Sequence, residues 1–207
     1  MIIAIEGIDG AGKNTLVRAL TGLIDRPVSV QAFPRYGTLH ADLAADALKH
    51  KLGDTVESIH AMALLFALDR YGYKDTLLSY APGGTHEHDV LLLDRYVASN
   101  AAYTAARLDS VEGQHFVADL EFGRFGLPAP DLTILLGTDA DLAAQRAQRR
   151  AEVDTSRALD AYESDSSLQE RTLDAYRRLA HDNWHGPWMS AHPDTDPRDI
   201  AAYIAQL

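Results

Sequence analysis

Cysteine is absent from this chain of 207 residues, and disulfides, thiolate metal ligands and a cysteine nucleophile are absent with it. That usage suits a reducing compartment, and a cytoplasmic protein is the expectation. Long apolar runs are missing too. The first run, Met1 to Ile5, stops at Glu6, and no basic segment precedes it. It is too short for a membrane span and has the wrong flanks for a signal peptide. Basic residues are scarce: 19 Lys and Arg face 30 Asp and Glu, for a formal net charge of −11. Duplex nucleic-acid binders present broad basic faces, so that class is set aside, and any polyanion must be held by locally clustered cations. The nine His lack metal-ligand spacing. No repeat, low-complexity tract or linker divides the chain, so one domain over residues 1–207 is expected.

What is present reads as a soluble α/β protein, with 46% hydrophobic and 24% charged residues. Apolar runs at Ile2–Glu6, Val28–Ala32, Val90–Leu93, Leu132–Leu136 and Trp188–Ala191 alternate with helical stretches. Continuous rather than alternating runs predict strands covered on both faces, hence a doubly wound fold with a five-stranded parallel sheet flanked by helices. Helices are predicted over Leu39 to Lys51 and, capped by Asp54, from there to about Tyr80.

The first strand runs straight into Gly7-Ile8-Asp9-Gly10-Ala11-Gly12-Lys13-Asn14-Thr15 and then an amphipathic stretch from Leu16. Strand, glycine turn, lysine and helix in that order form a phosphate-binding loop. Glycines let consecutive N–H groups close round an anion at a helix N-terminus, and Lys13 reaches the β- and γ-phosphates. The position after the lysine usually holds Ser or Thr as a magnesium ligand; here it is Asn14, a weaker oxygen ligand, with Thr15 one step later.

Further chemistry follows the strand ends, where open α/β sheets bind ligands. Phe33-Pro34-Arg35-Tyr36 offers an aromatic face, a guanidinium and a phenol to a nucleotide monophosphate. Phe66 and Arg70 stand four apart on one helical face, so a planar base can pack on the ring while the guanidinium bonds its carbonyl. Asp94-Arg95-Tyr96 ends the third strand with a carboxylate for a magnesium-bound water and a fork for phosphate. Ser99, Asn100 and Tyr103 share a face just beyond, and an Asn matches the adjacent N–H and C=O on the pairing edge of thymine or uracil. Arg146, Arg149, Arg150 and Arg157 bracket residues 151–156 and suggest a lid at about 147–158 closing over transferring phosphates. Asp160, Tyr162 and Glu163 then bring acids beside those arginines.

Together these pieces resemble the thymidylate kinases of the P-loop nucleoside monophosphate kinase fold, and look closest to the actinobacterial members. The resemblance runs from Met1 to about Tyr176. It implies ATP-dependent phosphoryl transfer to dTMP with Mg2+, in a homodimer. By position, Gly7, Gly10, Ala11, Gly12, Lys13, Asn14 and Thr15 would hold ATP with Arg146 and Arg150. Lys13, Arg95, Asp9, Arg146, Arg150 and Arg157 would be the catalytic groups. Phe33, Tyr36, Phe66, Arg70, Arg95, Ser99, Asn100, Tyr103, Asp9, Asp160 and Tyr162 would surround dTMP, with Phe66 on thymine and Tyr103 against the deoxyribose. Asp9 and Glu163 are the metal candidates. Two rivals stay open on sequence. One is a kinase of the same fold for another monophosphate or a deoxynucleoside, and the other is a P-loop NTPase switch.

Overall fold

The structure is a computed structural model and describes residues 1–138, 142, 143, 145 and 160–207. Five strands, β1 (Ile2–Glu6), β2 (Val28–Ala32), β3 (Val90–Asp94), β4 (Leu132–Leu136) and β5 (Trp188–Ala191), form one parallel sheet in the order β2-β3-β1-β4-β5. The sheet and its flanking helices match the expected fold class. β1, β4 and most of β3 are fully buried, as continuous apolar runs require. The edge strands depart from that rule. Val30 in β2 is 46% exposed, because an outer strand has a neighbour on one side only.

The helices are α1 (Lys13–Thr21), α2 (Leu39–Leu48), α3 (Ile59–Tyr71), α4 (Lys74–Ser79), α5 (Val97–Leu108), α6 (Glu112–Ala118), α7 (Ser166–His181) and α8 (Pro197–Ile204). A π-helical turn, Asp119–Arg124, extends α6. The single helix expected from Asp54 to Tyr80 is two. Ser58, not Asp54, is the N-cap, its hydroxyl accepting from the Ala61 N–H at 3.3 Å. The helix stops at Gly72, where an added Cβ would lie 2.8 Å from the Arg35 guanidinium. α2 likewise ends short of Lys51, with His50 in the left-handed region.

Register places the site. Ile5 and Ala32 both pair with Asp94, so the loops leaving β1, β2 and β3 emerge at one level. The Phe33 N–H donates to the Asp94 carbonyl at 2.9 Å and the Arg95 N–H to that of Ile5 at 3.0 Å, tying the three loops together. α5 packs against α3, α6 and α7, with nine of its twelve residues buried. Its small Ala positions let these helices approach closely, which fixes the polar residues it carries. Among the described residues no helix is long and apolar enough to cross a membrane.

Candidate active site

The strand ends open into a cleft of about 1110 Å³. Its floor is the loop between β1 and α1. Gly10 has φ +80°, and a Cβ there would meet the Ala143 carbonyl at 2.0 Å, so only glycine fits. Gly12 caps α1 with φ +102° in open space, where the left-handed backbone alone demands glycine. Lys13 folds back and donates to the carbonyls of Gly7 (3.0 Å) and Ile8 (2.9 Å). Burial, reinforced by the Arg95 charge and opposed by Asp9, pushes its ammonium down to about 8.

Arg95 sits beside it with φ +68°, an uncommon conformation for a non-glycine residue and one that turns its guanidinium back over the loop. That guanidinium donates to Asp9 at 2.6 Å, to the Gly7 carbonyl at 3.0 Å and to Ser99 at 3.2 Å. Tyr103 donates to the other Asp9 oxygen at 3.0 Å. Burial alone would raise the Asp9 carboxyl, but the charges of Arg95 and Lys13 and these hydrogen bonds hold it well below the usual carboxylate range. Beneath them Glu6 is fully buried and accepts from the Tyr96 N–H (2.7 Å), Ser99 (2.6 Å) and Tyr176 (2.9 Å). Ser99 thus holds the strand-end acid rather than only starting a helix.

At the other end Arg70 is 3% exposed and gives two bonds to Glu121, at 2.5 and 2.8 Å. Asn100 donates to the same carboxylate at 2.8 Å and to the Ala63 carbonyl at 2.9 Å. Both of those partners only accept, so the Asn100 amide has one possible orientation, and its oxygen accepts from the Thr104 hydroxyl at 3.4 Å with a second lone pair left for another donor. Half-buried Phe66 lines the wall between Arg70 and α2. Tyr103 stacks on Tyr162 at 5.6 Å between centroids, and the Arg107 guanidinium lies 5.0 Å from the centroid of the Tyr162 ring and donates to its hydroxyl.

A cation and acid at a phosphate loop, joined to a fixed donor and acceptor pair, describe a nucleotide kinase, and relatives decide which. A family model described as thymidylate kinase matches residues 5–186. The thymidylate kinase of Mycobacterium tuberculosis is 49% identical over 212 residues, covering 99% of this chain and 97% of that protein. The chain belongs to the thymidylate kinase family. A probable thymidylate kinase of Pyrobaculum aerophilum is 30% identical over 205 residues, 99% of this chain and 94% of that one. The solved thymidylate kinase of Candida albicans shares the fold, with TM-score 0.71 at 22% identity over 99% of this chain and 89% of that one. The expected closeness to actinobacterial members holds, and the activity is ATP-dependent phosphotransfer.

Read as a thymidylate kinase, the structure brings every acceptor-side candidate to one cleft: Asp9, Phe33, Tyr36, Phe66, Arg70, Arg95, Ser99, Asn100, Tyr103, Asp160 and Tyr162 all line it. On the donor side Gly10, Gly12, Lys13, Asn14 and Thr15 line it, while Gly7 and Ala11 are buried. Tyr36 stands at the mouth, 67% exposed. Bonds made within the protein change the reading of Arg35 and of Asn100 and give Asp160 a local partner as well. Arg35 is no phosphate ligand here: it ion-pairs with buried Asp69 at 3.0 Å and also donates to the Asp69 carbonyl, outside the cleft lining. Asn100 cannot donate to a base, because both its N–H groups already have acceptors. Asp160 caps its own turn, accepting from the Tyr162 and Glu163 N–H groups at 2.8 and 2.9 Å. Arg146, Arg149, Arg150, Arg157 and the lid at about 147–158 lie outside the described residues.

Among the described residues no three His, Cys, Asp or Glu cluster as a metal site. Magnesium asks less of the protein, one or two carboxylates with phosphate oxygens and water, and an ionised Asp9 beside the phosphate loop with Glu163 at the same cleft fits that need. Sequence reasoning missed Glu121, Tyr176, Arg107 and Gln169, whose side-chain oxygen accepts from the Tyr103 hydroxyl at 3.3 Å. A lone acid between Leu120 and Phe122 was the one available hint of Glu121.

Proposed function

We propose that the protein moves the γ-phosphoryl group of ATP to dTMP, giving ADP and dTDP on the way to dTTP. One observation carries this reading. A single cleft is lined both by Lys13, Arg95 and Asp9, which suit a phosphate, and by the Arg70 and Asn100 pair, which suits a base. The loop amides and Lys13 hold the donor phosphates; Arg95 and Tyr36 hold the acceptor phosphate. Phe66 stacks on thymine, Arg70 donates to its carbonyl and the Asn100 oxygen accepts from its N3–H. Tyr103, backed by Tyr162, occupies the space a 2′-hydroxyl would need.

The acceptor phosphate is ionised at neutral pH, so no residue has to take a proton. Asp9 is held ionised by Arg95 and keeps that cation aimed rather than acting as a base. The transferring group spreads charge over three oxygens, and the protein's part is positioning and charge stabilisation. Mg2+, held by Asp9 and Glu163, would neutralise charge on the donor phosphates. Arg146, Arg150 and Arg157 are proposed to complete the cation cluster from the lid.

The working form is proposed to be a cytoplasmic homodimer. α5 is enclosed within the protomer, so it is no candidate for the two-fold contact. Among the exposed apolar residues, Leu64 and Tyr71 on α3 and Leu78 on α4 lie on neighbouring helices and are proposed for that contact. Sedimentation equilibrium of Tyr71→Glu against the parent chain tests that face. The activity is tested by ADP release with dTMP, dUMP, thymidine, CMP and AMP, with and without magnesium. dTMP is expected to be fastest and magnesium-dependent. Faster turnover of thymidine, or equal turnover with no acceptor, would overturn the reading.

A further inference from the structure

Glu121 is 0% exposed and stands on the π-helical turn Asp119–Arg124, an irregularity that recurs at functional sites. Its carboxylate is the acceptor for Arg70 Nε and Nη2 and for Asn100 Nδ2. A buried carboxylate is costly unless paired, and here both of its partners face the base end of the cleft. The Ala63 carbonyl adds a second acceptor to the Asn100 amide at 2.9 Å. Flipping that amide would set its oxygen against two acceptors at once.

We infer that Glu121 is a specificity-determining positioning residue: by engaging both donors, it fixes Asn100 as an acceptor beside the Arg70 donor, so the site reads N3–H and O4. This rests on the reading of that end as a thymine site. A base with the opposite edge meets opposed groups at both positions. In 5-methylcytosine N3 accepts and the 4-amino group donates. The shape is otherwise that of thymine, so discrimination against it reports the polarity of the pair alone. Sites built around buried polar groups reject a mismatched edge by on the order of 10⁴.

The test compares dTMP with 5-methyl-dCMP as acceptors for the parent chain, Glu121→Gln and Glu121→Asp. In Glu121→Gln an N–H replaces one acceptor; because Arg70 bonds both carboxylate oxygens, it faces a donor in either orientation and must move, and in one orientation Asn100 does too. The KM for dTMP is expected to rise at least tenfold with the KM for ATP within twofold. The kcat/KM ratio of dTMP to 5-methyl-dCMP is expected to shrink at least tenfold. Glu121→Asp keeps the charge beside Arg70 and withdraws from Asn100, and the same shifts in smaller degree are read from it should Glu121→Gln not fold. An unchanged ratio, even with a raised KM for dTMP, would show a merely structural role and overturn the inference. A parent chain that fails to phosphorylate dTMP would overturn the reading beneath it, which separates the two failures.

Discussion

Arg95 and Asp9, 86 residues apart in the chain, meet at 2.6 Å across the mouth of the phosphate loop. Arg95 reaches that position from a left-handed backbone at the end of β3, while Asp9 is presented by the loop after β1. The cation is therefore preorganised, and a phosphate bound there as proposed would replace or share a carboxylate partner instead of ordering a free side chain.

Removing either cation should cut the chemical step more than binding. Arg95→Ala or Lys13→Ala is expected to lower kcat by on the order of 10³ or more, the scale for losing a charge-stabilising group in phosphoryl transfer. Steady-state assays at saturating ATP and dTMP check this. Rates within tenfold of the parent chain would remove both residues from these roles.

Lys13 also predicts a pH dependence. Its ammonium is held down to about 8, so above that pH the free enzyme carries a neutral amine where a phosphate clamp is needed. The kcat/KM for ATP is expected to fall about tenfold per unit on the alkaline side of about pH 8. Lys13→Arg, slower overall, should lose that limb because a guanidinium stays charged. Stability moves the other way. The folded chain releases this proton near 8 and an unfolded lysine near 10.5, so between them the unfolded state binds more protons and stability gains with pH. A pH–rate profile of Lys13→Arg that keeps the alkaline fall would assign it to another group.

Much of this site was legible before the structure, because the phosphate loop, the strand-end Asp94-Arg95 and the Phe66 and Arg70 pair are each contiguous or one helical turn apart. The five strands were legible for the same reason: continuous apolar runs have few other uses in a soluble chain. What escaped depends on long-range partners. Arg35 reads as a phosphate ligand until Asp69, 34 residues on, is seen to take it. Glu121 reads as a surface acid until Arg70, 51 residues back, and Asn100, 21 residues back, are found bonded to it. The single helix from Asp54 failed because the close approach of Arg35 to Gly72 is tertiary.

The base end predicts a split between the two substrates. Asn100→Ala removes the acceptor proposed for thymine N3–H and leaves the ATP side untouched, so the KM for dTMP should rise at least tenfold while that for ATP stays within twofold. Truncation also strips a partner from Glu121 and from the Ala63 carbonyl, and about 1–3 kcal/mol of stability should go with it. Equal losses for ATP and dTMP would move Asn100 out of the acceptor site.

Arg70 and Glu121 allow structure and recognition to be separated. Arg70→Met leaves a carboxylate that is 0% exposed without its cation, and breaking such a pair costs about 3–5 kcal/mol. At this chain length that lowers Tm by roughly 10 °C. Pairing it with Glu121→Leu removes both charges and fills the space with apolar atoms, so most of the lost stability is expected to return. dTMP turnover should not return, because the donor for the base carbonyl is still missing. Calorimetry and dTMP kinetics on the two variants read these outcomes independently. If Arg70→Met unfolds within 1 kcal/mol of the parent chain, the buried pair is not what holds this end of the cleft. If the double variant regains full activity with dTMP, Arg70 does not read the base.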